Sequence, residues 1–182
     1  MCRETRAAVA FVAVGSNIES ERNILAALAA LQDTVRIVAS SMFYRTEPIG
    51  RTDQPRFING VWWIETSLAP LELRQQVLRP TEARLGRLRT RDRFGPRTID
   101  LDLILYNDVV VREGDLILPH PDLARPFVYF PVIELLSPGN ADMPDDLRER
   151  MRQLLPPSPQ CTNPGEPLPE FTRRVRGLLR TQ

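Results

Sequence analysis

The sequence predicts an α+β fold, an antiparallel sheet with helices packed on it, and three observations carry that expectation. Runs of β-branched and aromatic residues recur at 9–14, 35–44, 57–66 and 99–106. Between them, residues 21–31 and 70–86 place apolar side chains at helical spacing. The resulting order, β-α-β-β-α-β, fits a ferredoxin-like α/β sandwich with further elements added after the fourth strand. A chain of 182 residues is long enough for one well-buried domain. We read residues 1–155 as that domain and 156–182 as a proline-rich extension that is not an independent domain.

The first strand is the apolar run at 9–14, ending in the turn Gly15-Ser16-Asn17. Ile24, Leu25, Leu28 and Leu31 then form the apolar stripe of a helix that packs on the sheet. After the strand at 35–44, two prolines and a glycine in a polar setting make 45–55 a loop, long enough to suggest a lid or binding loop. The strand at 57–66 carries Asn59 among apolar neighbours, either a satisfied core amide or a reader of a heterocycle's edge.

In the helix expected at 70–86, Gly86 is a stop signal and Pro80 should kink or divide the segment. Past the fourth strand, residues 109–111 suggest an edge hairpin. His120, the one histidine, is held between Pro119 and Pro121. A buried helix is expected at 127–136 and another at 145–155. Residues 156–169 read as an extended wrapping arm, followed by a short basic segment at 170–180 that either docks on the body or frays.

Chemistry concentrates around Asp100-Leu101-Asp102. Alternation with Ile99, Leu101 and Leu103 points both carboxylates to one strand face, with Cα atoms roughly 6.5–7 Å apart. Taken alone, such a pair is most simply a strand's exposed acidic face. Upstream, however, stand Arg84, Arg87, Arg89, Arg91, Arg93 and Arg97, with Phe94-Gly95-Pro96 as a turn. Guanidiniums bind phosphate through a planar fork, and paired carboxylates hold hard cations about 3.5–4 Å apart that can clamp a displacement at phosphorus. The combination suits a polyphosphate bridged to metal.

Bulk properties set the limits. The net charge of +1 gives no reason to expect a nucleic-acid partner. All 24 basic residues are arginine, which excludes a Schiff-base or P-loop lysine. Cys2 and Cys161 sit near opposite ends without a partner motif, against a zinc site or disulfide framework. Residues 1–8 are too polar for a signal peptide and no apolar run approaches a membrane span, so a cytoplasmic protein is expected.

These residues resemble the 6-hydroxymethyl-7,8-dihydropterin pyrophosphokinase family. The resemblance runs from Gly15-Ser16-Asn17 with Asn23-Ile24, through Phe43 to Thr46, Pro48, Gly50, Gln54-Pro55, Phe57 and Asn59. It continues with Glu82, Gly86-Arg87, the run 94–102, Pro119-His120-Pro121, Arg125 and Phe127. The resemblance implies magnesium-dependent transfer of pyrophosphate from ATP to a pterin alcohol in folate biosynthesis, by a monomer whose partners are small molecules. It implies that Asp100 and Asp102 hold two Mg2+ ions, and that Arg87 and Arg97 steady the phosphates. Arg89 and Arg93 would be loop helpers, and Glu82, His120 and Arg125 would serve ATP. Phe57 and Phe127 would sandwich the pterin, with Asn59 on its edge beside Thr46, Glu47 and Ile49. The alternatives are the same chemistry on a related pterin, or a nucleotide-binding module without turnover. Glu47 and Pro80 depart from the family pattern, leaving the pterin entrance and the aim of Glu82 open.

Overall fold

The computed structural model describes residues 7–88, 94–138 and 143–179. Its main sheet joins β1 (Ala8–Ser16), β2 (Arg36–Ser40), β3 (Tyr44–Thr46), β4 (Phe57–Thr66), β5 (Asp100–Tyr106) and β8 (Glu166–Pro167). The spatial order is β5-β1-β4-β3-β8, every pairing is antiparallel, and β2 pairs with the far half of β4. Strands β6 (Val111–Glu113) and β7 (Leu116–Leu118) form a separate hairpin, slightly beyond the expected position.

Strand alternation divides the core in two. Ala10, Val12 and Val14 of β1, Trp62 and Ile64 of β4, and Leu101 and Leu103 of β5 pack on one face. That face is covered by α1 (Ser20–Gln32), by the helical segment beginning at α2 (Pro70–Glu72), and by α6 (Pro169–Gly177). Val9, Phe11, Val61 and Trp63 point to the other face, beneath α4 (Pro126–Leu135) and α5 (Asp145–Gln153). Neighbouring Trp62 and Trp63 are both fully buried because each side of the sheet has its own helical layer.

One departure from the expected elements, and the manner of the expected division at Pro80, have physical causes. The strand expected at 35–44 is split, because residues 42 and 43 satisfy their amides away from β4. Ser41 still donates to the Val61 carbonyl of β4 at 2.9 Å, but Met42 donates to the Glu134 carboxylate at 2.8 Å and Phe43 to the Thr172 hydroxyl at 2.9 Å. Pro80 divides its helical segment without ending it. The segment Leu73–Leu78 is π-helical, and the Arg79 N–H reaches back five residues to the Arg74 carbonyl before α3 (Arg79–Arg84) begins. The wider turn accommodates a ring that lacks a donor and would crowd the carbonyl four residues back.

The C-terminal segment docks rather than frays. Phe171 and Val175 are buried in the first core, and the Phe171 ring meets Phe43 edge-on at 5.3 Å.

Candidate active site

On the α4 side of the sheet, apolar cover runs only part of the way along the strands. Where it ends, the inward residues change from Phe11, Val61 and Trp63 to Ala13, Gly15, Phe57, Asn59, Asp100 and Asp102. The register places Asp102 opposite Ala13, Asp100 opposite Gly15, and Gly15 opposite Asn59 across the three central strands. Small residues on β1 thus leave room between the acids of β5 and the amide of β4. A side chain at Gly15 would collide with Asn59 Oδ1, to which an added Cβ would stand at 2.8 Å. The cleft measures about 680 Å³ including its open mouth.

Of the residues singled out from the sequence, Thr46, Glu47, Ile49, Phe57, Asn59, Arg97, Asp100, Asp102, Arg125 and Phe127 all line this cleft. Phe57 enters from β4 and Phe127 from the first turn of α4, so both aromatics border one space. Arg125 stands beside the Phe127 ring, its guanidinium carbon 6.0 Å from the centroid.

Arg87, Glu82 and His120 stand behind the cleft wall rather than in it. Arg87 donates to both Glu82, at 2.5 Å, and Asp100. The buried Glu82 also accepts the Leu101 backbone N–H at 2.9 Å, so the π-turn before Pro80 delivers it to the start of β5. His120 Nδ1 accepts the Asp122 N–H at 3.2 Å, which leaves Nε2 as the donor of the neutral ring. Burial lowers the His120 pKa, against the opposing pull of Asp122 and Asp100. Arg89 and Arg93 lie outside the described residues.

The two aspartates differ in surroundings. Burial pushes the Asp100 carboxyl up, but the Arg87 and Arg97 guanidiniums, both bonded to it, outweigh that and hold it below the ordinary carboxylate value. Burial pushes Asp102 up to about 7, and the neighbouring charges of Asp100 and Glu82 add to the rise. Among the described residues no arginine contacts Asp102. A buried carboxylate pair of which one member has no guanidinium bonded to it among the described residues, and feels Arg87 only at a distance, is suited to a divalent cation.

Asp122 and Phe94 also line the cleft; Asp122 had no role in the sequence reading, and Phe94 entered it only as a turn and motif residue. Asp122, paired with Arg125 at 2.8 Å, stands two positions past His120, a spacing too common to single out. Asn17 and Gln54, recognisable only as parts of the motif, tie the two flanking loops together. Asn17 Oδ1 accepts the Arg97 N–H at 2.7 Å, and its amide donates to Gln54 at 3.0 Å and to the Pro55 carbonyl at 3.1 Å. Gln54 in turn donates to the Phe94 carbonyl at 2.6 Å.

A profile of the 7,8-dihydro-6-hydroxymethylpterin-pyrophosphokinase family matches residues 11–137. The 2-amino-4-hydroxy-6-hydroxymethyldihydropteridine pyrophosphokinase of Haemophilus influenzae is 40% identical over 133 residues, 70% of this chain and 81% of that one. Its Pseudomonas aeruginosa counterpart is 43% identical over 129 residues, 69% and 78% of the two chains. The Methylorubrum extorquens protein of the same name is 38% identical over 151 residues, 81% of this chain and 94% of its own.

Proposed function

The chain belongs to the 7,8-dihydro-6-hydroxymethylpterin-pyrophosphokinase family, and on that premise we propose how its own residues carry out pyrophosphate transfer from ATP to the hydroxymethyl group of 6-hydroxymethyl-7,8-dihydropterin. The observation that carries the reading is the cleft in which Asp100, Asp102 and Arg97 share walls with Phe57, Asn59 and Phe127. One end offers charge to a polyphosphate and the other offers two rings and an amide to a flat heterocycle.

The donor set fits magnesium. Mg2+ keeps several waters and is held by one or two carboxylates plus substrate phosphates rather than by a full protein cage. The cleft offers Asp100 and Asp102 to that mode of binding. Asp100 and Asp102 would hold two such ions. Ions held there would supply positive charge to the phosphate oxygens during the displacement.

The rest of the work falls to the chain. Asn59 and the Thr46 to Ile49 backbone orient the pterin edge, while Phe57 and Phe127 fix its plane. That positioning sets the pterin hydroxyl in line with the β-phosphorus of ATP. A new oxygen–phosphorus bond then forms as the hydroxyl releases its proton to solvent, the bond to the bridging α,β oxygen breaks, and AMP leaves with that oxygen. Arg87 and Arg97, which bond to Asp100 in this structure, turn to phosphate oxygens when the nucleotide enters. His120 offers its Nε2 proton and Arg125 its guanidinium to the nucleotide, with Arg89 and Arg93 assisting. The two flanking loops, joined through Asn17 and Gln54, shut water out of the site.

No helix among the described residues is long and apolar enough to cross a membrane. The proposed enzyme is a cytoplasmic monomer acting on small molecules. AMP release from Mg-ATP on addition of 6-hydroxymethyl-7,8-dihydropterin tests the reading. Turnover confined to another pterin alcohol would overturn the acceptor, and no turnover with any would overturn the activity.

A further inference from the structure

Strand β3 has three residues, Tyr44–Thr46, and leads directly into the loop that borders the acceptor end of the cleft. So short a strand is weakly held by one neighbour alone. Here β4 pairs one of its edges and the C-terminal segment pairs the other, with Tyr44 opposite Pro167 and Arg45 opposite Glu166. The segment is anchored well inside the molecule. The Leu168 N–H donates to the Phe43 carbonyl at 2.8 Å, the buried Thr172 hydroxyl accepts the Phe43 N–H, and Phe171 is in the core.

We propose that this C-terminal segment, which lies beyond the residues matched to the family, sets the geometry of the acceptor pocket, with Gly165 and Glu166 as positioning residues for Thr46 and Asn59. The inference rests on reading the cleft as the pterin site.

Contact at Gly165 carries the argument. Its φ of +121° suits glycine, and a Cβ there would stand 2.6 Å from the Arg45 carbonyl oxygen and 2.9 Å from Thr46 Cγ2. The backbone of the tail therefore lies against the backbone and methyl group that frame the pocket, with no room between them for a side chain. Thr46 Oγ1 accepts a hydrogen bond from Asn59 Nδ2 at 2.8 Å, fixing the rotation of the amide assigned to the pterin edge. A push on Thr46 is felt one hydrogen bond later at Asn59.

Glu166 acts on the same loop from its two ends. Its carboxylate lies 3.5 Å from Arg45, where the loop begins, and 3.5 Å from Arg56, where it ends. Arg56 also pairs with Glu47 at 2.6 Å. Each pair is exposed and individually weak, so the charges refine a position that the packing at Gly165 imposes. Thr46, Glu47 and Phe127 form the partition between the cleft and a second hollow under the tail, so one wall serves both.

The test is steady-state kinetics on the full chain with each substrate varied in turn. Gly165→Ala is expected to raise the KM for the pterin about tenfold, because the added methyl displaces Thr46, while the KM for ATP stays within about twofold. Glu166→Arg, a surface change that spares the fold, is expected to raise the pterin KM about threefold, and Glu166→Asp to restore it. Pterin KM values within twofold of wild type in both variants would overturn the proposal. So would equal rises for both substrates, since a general loss of structure moves both. Wild type assayed alongside separates the two readings: no AMP from wild type overturns the activity and this role with it, whereas an active wild type with unmoved variants overturns only the role of the tail.

Discussion

Asp100 and Asp102 project from one face of β5, yet Arg87 and Arg97 both bond to Asp100 while no described arginine touches Asp102. The pair is therefore divided into a member held ionised by two guanidiniums and a member whose carboxyl burial pushes up. Asp102 is pushed up to about 7 by burial, then by Asp100 and Glu82, with Arg87 opposing and Asp122 adding to the rise.

The first prediction follows by linkage. Below about pH 4, Asp102 is protonated in both folded and unfolded chains and contributes nothing to the slope of stability. Between about 4 and 7 the metal-free folded chain retains a proton that the unfolded chain has lost, so stability falls as pH rises. Without metal, Asp102→Asn should raise the melting temperature, and by more at pH 8 than at pH 5. Scanning calorimetry in a chelator reads this, and an Asp102→Asn effect independent of pH would contradict it. Magnesium should reverse the order, stabilising wild type and not the variant, with proton release on binding near pH 6.5.

A second prediction concerns Glu82. It is 2% exposed and holds both Arg87 and the Leu101 N–H, so removing it takes one of two carboxylate partners from a part-buried guanidinium and leaves a backbone donor without its acceptor. Glu82→Ala should cost about 1–3 kcal/mol. Glu82→Gln keeps an acceptor and should cost less. Urea unfolding ranks the two, and equal losses would mean that the charge is immaterial.

Third, Gly60 sits against the Phe43 ring, and a Cβ at that position would stand 2.7 Å from it. Gly60→Ala should destabilise by roughly 1–3 kcal/mol through overpacking. Combining it with Phe43→Leu should recover part of the loss, measured as a coupling energy in a double-mutant cycle. Strict additivity would place the clash elsewhere.

Fourth, Asn17 joins the loops on the two sides of the cleft. Asn17→Ala leaves the Arg97 N–H without its acceptor and Gln54 without its tie, at a cost of about 1–3 kcal/mol. The KM values for ATP and pterin should rise together, unlike the pterin-only effect expected at Gly165. Unchanged kinetics for both substrates would show that the loops order themselves without this link.

The sheet and its helices were legible because alternation and helical spacing are local properties of the chain. Asp100 and Asp102 were legible for the same reason, since two residues of strand suffice to align them. The split after Ser40 was not, because the partners of Met42 and Phe43 are Glu134 and Thr172, far along the sequence. Pro80 signalled a disturbance, but whether a helix breaks or widens depends on what packs around it, here Leu73, Val77 and Leu78 in the core. The strand at Glu166–Pro167 carries no sequence pattern of its own and exists because β3 offers an open edge.

The measurement closest to the central claim is calorimetry of a non-hydrolysable ATP analogue with magnesium, followed by the pterin, on wild type, Asp100→Asn and Asp102→Asn. The account predicts tight nucleotide binding to wild type, dependent on magnesium, and a loss of at least about tenfold in each variant as a buried charge partner disappears. Equal nucleotide affinity in all three proteins, or affinity indifferent to magnesium, would contradict it.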